Sequence, residues 1–320
     1  FGLRASSISE GERFSVTSRE GALVFNNVML SAILGIVLLG TLYPLLTEAF
    51  DVRVSVGPPY FNPAGAIFTI PMLLVMAVGP LLRWRQDSFA RIRLPLVLIA
   101  VIMLAALALV VILGAYSLLA DLGLAIAIGL AIASFLPLRG RNLLRVPLAT
   151  WGMVIAHFGI AVALFGMASE SAFSEEKLAA VNIGESTQVG PWKVQLESVT
   201  PVAGPNWTAL EGTLQASYDG GGPVELHPQA RNFWAPPQET TESQLATRWN
   251  GQLYAVIGNE AGQGRWQLRL WWKPFVTFIW YGGLLIALGG LLSLVGRVMS
   301  DLKRRQVTRR RKLLEAEAVA

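Results

Sequence analysis

The chain has 320 residues, of which 53% are hydrophobic and 15% charged, with a formal net charge of +5. That balance excludes a pair of ordinary soluble domains and points to a polytopic membrane protein, because the apolar residues fall in blocks instead of being spread along the chain. No cysteine is present, which excludes disulfides and any thiol chemistry by the chain itself.

Residues 1–21 are polar and read as a segment leading in toward the first span. Six apolar runs of about 20 residues follow, long enough to cross a bilayer, at 22–45, 64–82, 92–113, 115–136, 148–167 and 275–295. Between the first two lies "SVGPPYFNP". Its prolines fix φ and remove backbone donors, so the stretch is expected to be an ordered turn outside the membrane, not a helix. Basic residues set the orientation, since loops rich in them stay in the cytoplasm. Arg4, Arg13 and Arg19 precede the first run; Arg83, Arg85, Arg91 and Arg93 follow the second; Arg139, Arg141 and Arg145 follow the fourth; eight more follow the sixth. The opposite side holds Arg53 and the seven basic residues of the long segment between the fifth and sixth runs. Both ends are therefore expected in the cytoplasm, with 168–274 outside.

Segment 168–274 reads as a small all-β barrel or sandwich of five to seven short strands. "PWKVQLESV" alternates Trp192, Val194 and Leu196 with polar partners, and "WTALEGTLQASY", "QLYAVIG" and "RWQLRLWW" are further strands separated by turns such as "DGGGP". "APPQETTESQ" reads as an exposed loop. The last strand runs through Trp271, Trp272 and Lys273 into the sixth span, a trio expected to anchor that helix at the headgroups. The division is thus a cytoplasmic segment 1–21, a five-helix membrane region 22–167, an outer β domain 168–274, a last helix 275–296 and a basic cytoplasmic tail 297–320. The tail is read as a retention signal beside anionic lipid, not as a nucleic-acid site.

Small residues form stripes in the fifth span (Gly152, Ala156, Gly159, Ala163, Gly166) and the sixth (Gly282, Gly289, Gly296). Such stripes let helix backbones approach closely; the functional version is a slot for a flat cofactor beside His157. That histidine, in "WGMVIAHFGI", stands in the middle of an apolar run. A neutral imidazole offers one donor and one acceptor, and leaving either unmade in hydrocarbon costs kilocalories. Three partners are open to it: a polar group on another helix, a proton path, or a metal such as haem iron. A proton path needs a chain of ionisable groups, and none lies within the runs; Asp121 is at a boundary. His227, in "VELHPQARNFW", reads as a surface histidine at a strand end. No Walker loop, HExxH, GxSxG or paired-carboxylate arrangement appears, and no catalytic residue is assigned.

Four segments, "SREGALVFNNVMLSAILGIVLLGTLYPLL", "SVGPPYFNP", "ATWGMVIAHFGIAVALFG" and "WWKPFVTFIWYGGLLIALGGLLSL", resemble in that order the C-terminal half of the CcmF/NrfE family of haem lyase subunits in cytochrome c maturation. The resemblance covers about 18–298. It implies a bacterial inner-membrane protein that accepts haem from a haem chaperone at the outer face and assists its attachment to apocytochrome c, alongside thiol-holding maturation subunits. It further implies a b-type haem in the membrane, reduced by quinol, with His157 as one axial ligand and the second from outside this chain. The "VGPPYF" loop (57–61) and the β domain would shape the outer face. Several family features are missing: the tryptophan-rich "WGxWWxWD" segment, three further histidines, and the "TPEKR" stretch, in whose place stands "LHPQARNFW". His227 matches none of the three. The N-terminal half is therefore an expected partner, and the opening Phe1 is read as truncation in preference to a split gene. The rival from another class is a non-catalytic assembly scaffold or transporter component in which His157 ties helices together; a receptor with the β domain as sensor is weakened by the short tail.

Overall fold

The computed structural model describes residues 15–114 and 116–317, with side chains described as far as residue 308. Two compact units emerge, Phe1–Ala161 with Gly283–Ala320, and Val162–Gly282. Among the described residues six helices are long and apolar enough to cross a membrane, so the chain is a multi-pass membrane protein. They are α1 (Arg19–Glu48), α2 (Pro58–Val78), α3 (Phe89–Gly114), α4 (Leu118–Phe135), α5 (Leu148–Phe173) and α6 (Thr277–Glu317). Every predicted span falls on one of them.

In the first unit α4 lies innermost. Its Leu124, Ala125, Ile126, Ala127 and Leu130 are buried, whereas α1, α2 and α3 fully bury few of their apolar side chains, as helices facing lipid do. Gly129 of α4 lets α3 close in, since a Cβ there would come within 2.3 Å of Met103. The expected turn at "GPPYF" is instead the start of α2, which opens at Pro58 behind an N-cap Gly57. Proline is at home there because the first four N–H groups of a helix have no internal partner. Tyr60 and Phe61 in that first turn pack on Gly40 of α1.

The polar segment before α1 is not a free loop. Ser15 and Arg19 donate backbone N–H bonds to the carbonyls of Arg85 and Arg83 (2.9 Å each), and Asp87 donates back to Thr17 (3.0 Å). This clasp joins the start of α1 to the chain following α2. Asp87 locks its end: the carboxylate accepts from the N–H groups of Arg83 (2.9 Å) and Ser88 (2.8 Å) and from the Arg91 guanidinium. The guanidinium, aided by those backbone donors, holds the Asp87 carboxyl well below the usual carboxylate range.

The second unit is a sandwich, not a barrel, and has ten strands instead of five to seven. One sheet has the order β1 (Glu175–Val181), β10 (Trp266–Pro274), β9 (Gly251–Glu260), β8 (Gln244–Arg248). The other runs β2 (Ser186–Val189), β3 (Trp192–Ala203), β4 (Trp207–Tyr218), β6 (Gln229–Trp234), β7 (Pro237–Glu242), with β5 (Val224–Leu226) also on β4. All pairings are antiparallel. Alternation places Trp192, Val194 and Leu196 of β3 against Leu253, Ala255 and Ile257 of β9 and Leu268, Leu270 and Trp272 of β10 in one core. Each large side chain so withdrawn contributes about 1.5–3 kcal/mol. At the β2–β3 turn Gly190 has φ 51° and lies against Trp272, which a Cβ there would approach to 2.5 Å; only glycine suits both demands.

Two further expectations change. "APPQETTESQ" is not a loop: β7 occupies most of it, beginning at a proline on a sheet edge where no ladder donor is needed. Of the Trp271–Trp272–Lys273 trio, Trp272 is not free to anchor a helix at the headgroups. Trp272 is 6% exposed in the sandwich core, Trp271 stacks edge-on with Tyr254 and under Arg269, and Lys273 Nζ pairs with Glu170 Oε1 at 2.9 Å. Strand alternation decides this, sending neighbouring indoles to opposite faces of β10. The residues after 296, finally, continue α6 as helix to Glu317, and α5 runs to Phe173, past the predicted end of its span at 167.

Candidate functional site

His157 lies on the face of α5 that also carries Met153, Ala156 and Ile160, at the spacing of successive helical turns. These four line a cavity of about 360 Å³ with Arg19, Ala22, Leu23 and Asn26 of α1 and with Val75, Met76, Gly79 and Pro80 at the end of α2. The walls are mainly apolar, and the polar groups are one imidazole, one amide and one guanidinium.

The histidine's hydrogen bond determines its tautomer. Nδ1 lies 2.8 Å from the carbonyl oxygen of Met153, one turn earlier in the same helix. A carbonyl only accepts, so Nδ1 carries the proton, and in the neutral ring Nε2 keeps its lone pair. Among the described residues Nε2 has no hydrogen-bond partner. This is how a metal-ligating imidazole is prepared, with one nitrogen donating to a carbonyl so that the other is basic and oriented. One histidine supplies one axial position. The donor type and apolar walls fit a haem, and the residues present fit half of its axial coordination.

Arg19 and Asn26 were not singled out as site residues in the sequence. Arg19 precedes the predicted first span and Asn26 lies within it beside Asn27; the available signal is the spacing of seven between Arg19 and Asn26, which aligns them on one face with Ala22 and Leu23. The Arg19 guanidinium is held by soft partners, with its Nη2 at 3.3 Å from Met153 Sδ and its carbon 5.0 Å over the Trp84 ring.

The small-residue stripe leaves no slot. A Cβ on Gly152 would stand 2.5 Å from the carbonyl oxygen of Gly289, and one on Gly289 2.5 Å from the backbone N of Ala156, so α5 and α6 meet backbone to backbone. Gly296 meets Ala149 in the same way. The cavity beside His157 is built instead with α1 and α2. His227 has no part in it: in the sandwich its Nε2 lies 3.0 Å from Glu225 Oε1 and its Nδ1 3.7 Å from Glu211 Oε1. No group of three or more ligating side chains able to hold a metal ion occurs among the described residues.

Among the described residues, six helices able to cross a membrane and a ten-stranded sandwich define a multi-pass membrane protein with a β-sandwich domain. Residues 172–274 match the family model described as the CcmF C-terminal beta-sandwich. The chain is 34% identical to the cytochrome c-type biogenesis protein ccl1 of Rhodobacter capsulatus, over 100% of this chain and 50% of that protein. It is 33% identical to the cytochrome c-type biogenesis protein CcmF of Escherichia coli, over 92% of this chain and 46% of that protein. A solved structure of the cytochrome c haem lyase CcmF superposes with a TM-score of 0.67 at 26% identity, covering 88% of this chain and 46% of that one. The chain thus spans about half the length of the relatives it matches, and over nearly all of its own length it corresponds to the C-terminal half of CcmF.

Proposed function

We propose that this chain forms the C-terminal half of a cytochrome c haem lyase of the bacterial inner membrane, with both ends cytoplasmic and the sandwich periplasmic. In this reading the whole protein receives haem from a chaperone and assists its attachment to apocytochrome c, whose thiols, presented with thiol-holding partners, add across the vinyl groups of the substrate haem. Each addition places sulfur on one vinyl carbon and hydrogen on the other, so no oxidant is consumed.

The observation that carries the reading is the free lone pair on Nε2 of His157 in an apolar cavity. His157 would ligate a membrane haem b whose second axial ligand comes from the N-terminal half. When bound, that group would supply one-electron chemistry, fed by quinol, that keeps the substrate iron reduced. The chain's own part is to hold and orient. Met153 fixes the imidazole through its carbonyl, Ala156 and Ile160 exclude water on the same helix face, and α1 and α2 close the cavity around them. The scaffold reading, in which His157 ties helices together, has no bond to stand on among the described residues, since the one that His157 makes lies within its own helix.

The test is an absorption spectrum, oxidised and dithionite-reduced, of the chain co-expressed with an N-terminal CcmF half and purified in mild detergent. A six-coordinate b-type spectrum that vanishes in His157→Ala at unchanged protein level is the expected result. Haem retained in the variant, or a folded assembly without haem, returns His157 to packing and the chain to a scaffold.

A further inference from the structure

Among the described residues Arg19 is the one cationic side chain lining the cavity, and no carboxylate of theirs lies within ion-pair reach of it. Its neighbour Glu20 is already engaged, accepting the backbone N–H of Arg85 at 2.7 Å. A half-buried guanidinium held by an indole face and a thioether keeps its five N–H donors largely unspent. Such a group pairs best with a planar carboxylate or a phosphate, which can take two N–H bonds at once. Arg19 is also the first residue of α1, behind the capping hydroxyl of Ser18, where the helix dipole adds to its preference for an anion.

Met153 links the two residues. Its sulfur touches Arg19 and its carbonyl holds His157, so one residue of α5 holds both the guanidinium and the imidazole in the lining of the same cavity. A group that His157 ligates would share that cavity with the guanidinium.

We infer that Arg19 is the anion-binding residue of this cavity and pairs with a carboxylate at the edge of the group that His157 ligates, which for haem b is a propionate. The inference rests on the haem reading of His157. It assigns the propionate edge of the haem to the clasp formed by residues 15–19 and 83–87, and it gives that clasp a task, which is to hold Arg19 at the cavity mouth.

The probe is haem b beside its dimethyl ester, in which both propionates are methylated and uncharged. Each is titrated into the haem-depleted protein, co-expressed with its N-terminal half, with the Soret band as readout. Wild type is expected to bind haem b about ten-fold or more tightly than the ester, the effect of one charge-assisted pair. Arg19→Gln should abolish that preference while keeping six-coordinate iron, and Arg19→Lys should restore part of it. A wild-type protein that binds both equally overturns the inference without any mutant having to fold, and so does an Arg19→Gln protein that still prefers haem b. If wild type binds neither, the haem reading of His157 falls, and this inference falls with it.

Discussion

In the sandwich Trp192, Leu196, Leu214 and Leu270 are wholly withdrawn from water, whereas Leu34 and Leu39 of α1 and Ile112 of α3 remain 66%, 67% and 79% exposed. The sandwich encloses its own apolar surface; the helical unit leaves its apolar surface for lipid or other helices to cover. The difference says where to look for function. In the sandwich an apolar residue is informative because it builds the core. In the helical unit apolar residues are the background, and the informative ones are the polar exceptions, Arg19, Asn26 and His157, together with the glycines that bring backbones together.

That contrast can be broken in three places. Trp272→Ala should cost the most, about 3–5 kcal/mol, because it empties the centre of a closed core; hydrogen exchange should show protection lost across β9 and β10. If exchange instead rises in α6 and the strands stay protected, the residue anchors the helix after all. Gly289→Leu should cost about 1–3 kcal/mol, read as a lower midpoint in mixed-micelle unfolding, because the new side chain meets backbone atoms that cannot move aside. A neutral result would mean that α5 and α6 are not in contact in the membrane.

The smallest effect belongs to the clasp. An unfolded aspartate titrates near pH 4, roughly, while that of folded Asp87 is depressed by Arg91. The carboxylate therefore stabilises the clasp above roughly pH 4, and this contribution is lost as pH falls through the folded value. Asp87→Asn should lower stability at neutral pH and flatten the loss on acidification, followed by exchange at residues 83–87. Parallel acid profiles for variant and wild type would remove Asp87 from that role.

The spans and the principal strands were legible because hydropathy blocks and period-two alternation are local signals. "APPQETTESQ" was not, since a proline opening an edge strand looks the same in sequence as one in a loop. "GPPYF" misled for a related reason: proline at a helix start and proline in a turn share the same fixed φ. Trp272 was assigned to the headgroups by composition, although the alternation already visible in β10 would have turned it inward. The proximity of Arg19 to His157 depends on helices far apart in sequence coming together, and nothing local records that; the tautomer of His157 is set within its own helix, by a rotamer that brings Nδ1 to the Met153 carbonyl.

Helix α6 spans 41 residues, about 60 Å, or roughly twice the thickness of a hydrocarbon core. Its first half is apolar and its second half is dominated by arginine and lysine beginning at Arg297, all on one uninterrupted rod. Such a rod is a depth gauge. Each residue of sliding moves the whole helix about 1.5 Å, and driving Arg297 to mid-membrane would cost about 2.5–3.5 kcal/mol. The glycines that contact α5 are thereby held at one level in the bilayer, and through Gly289 and Ala156 that level is passed to the turn bearing His157.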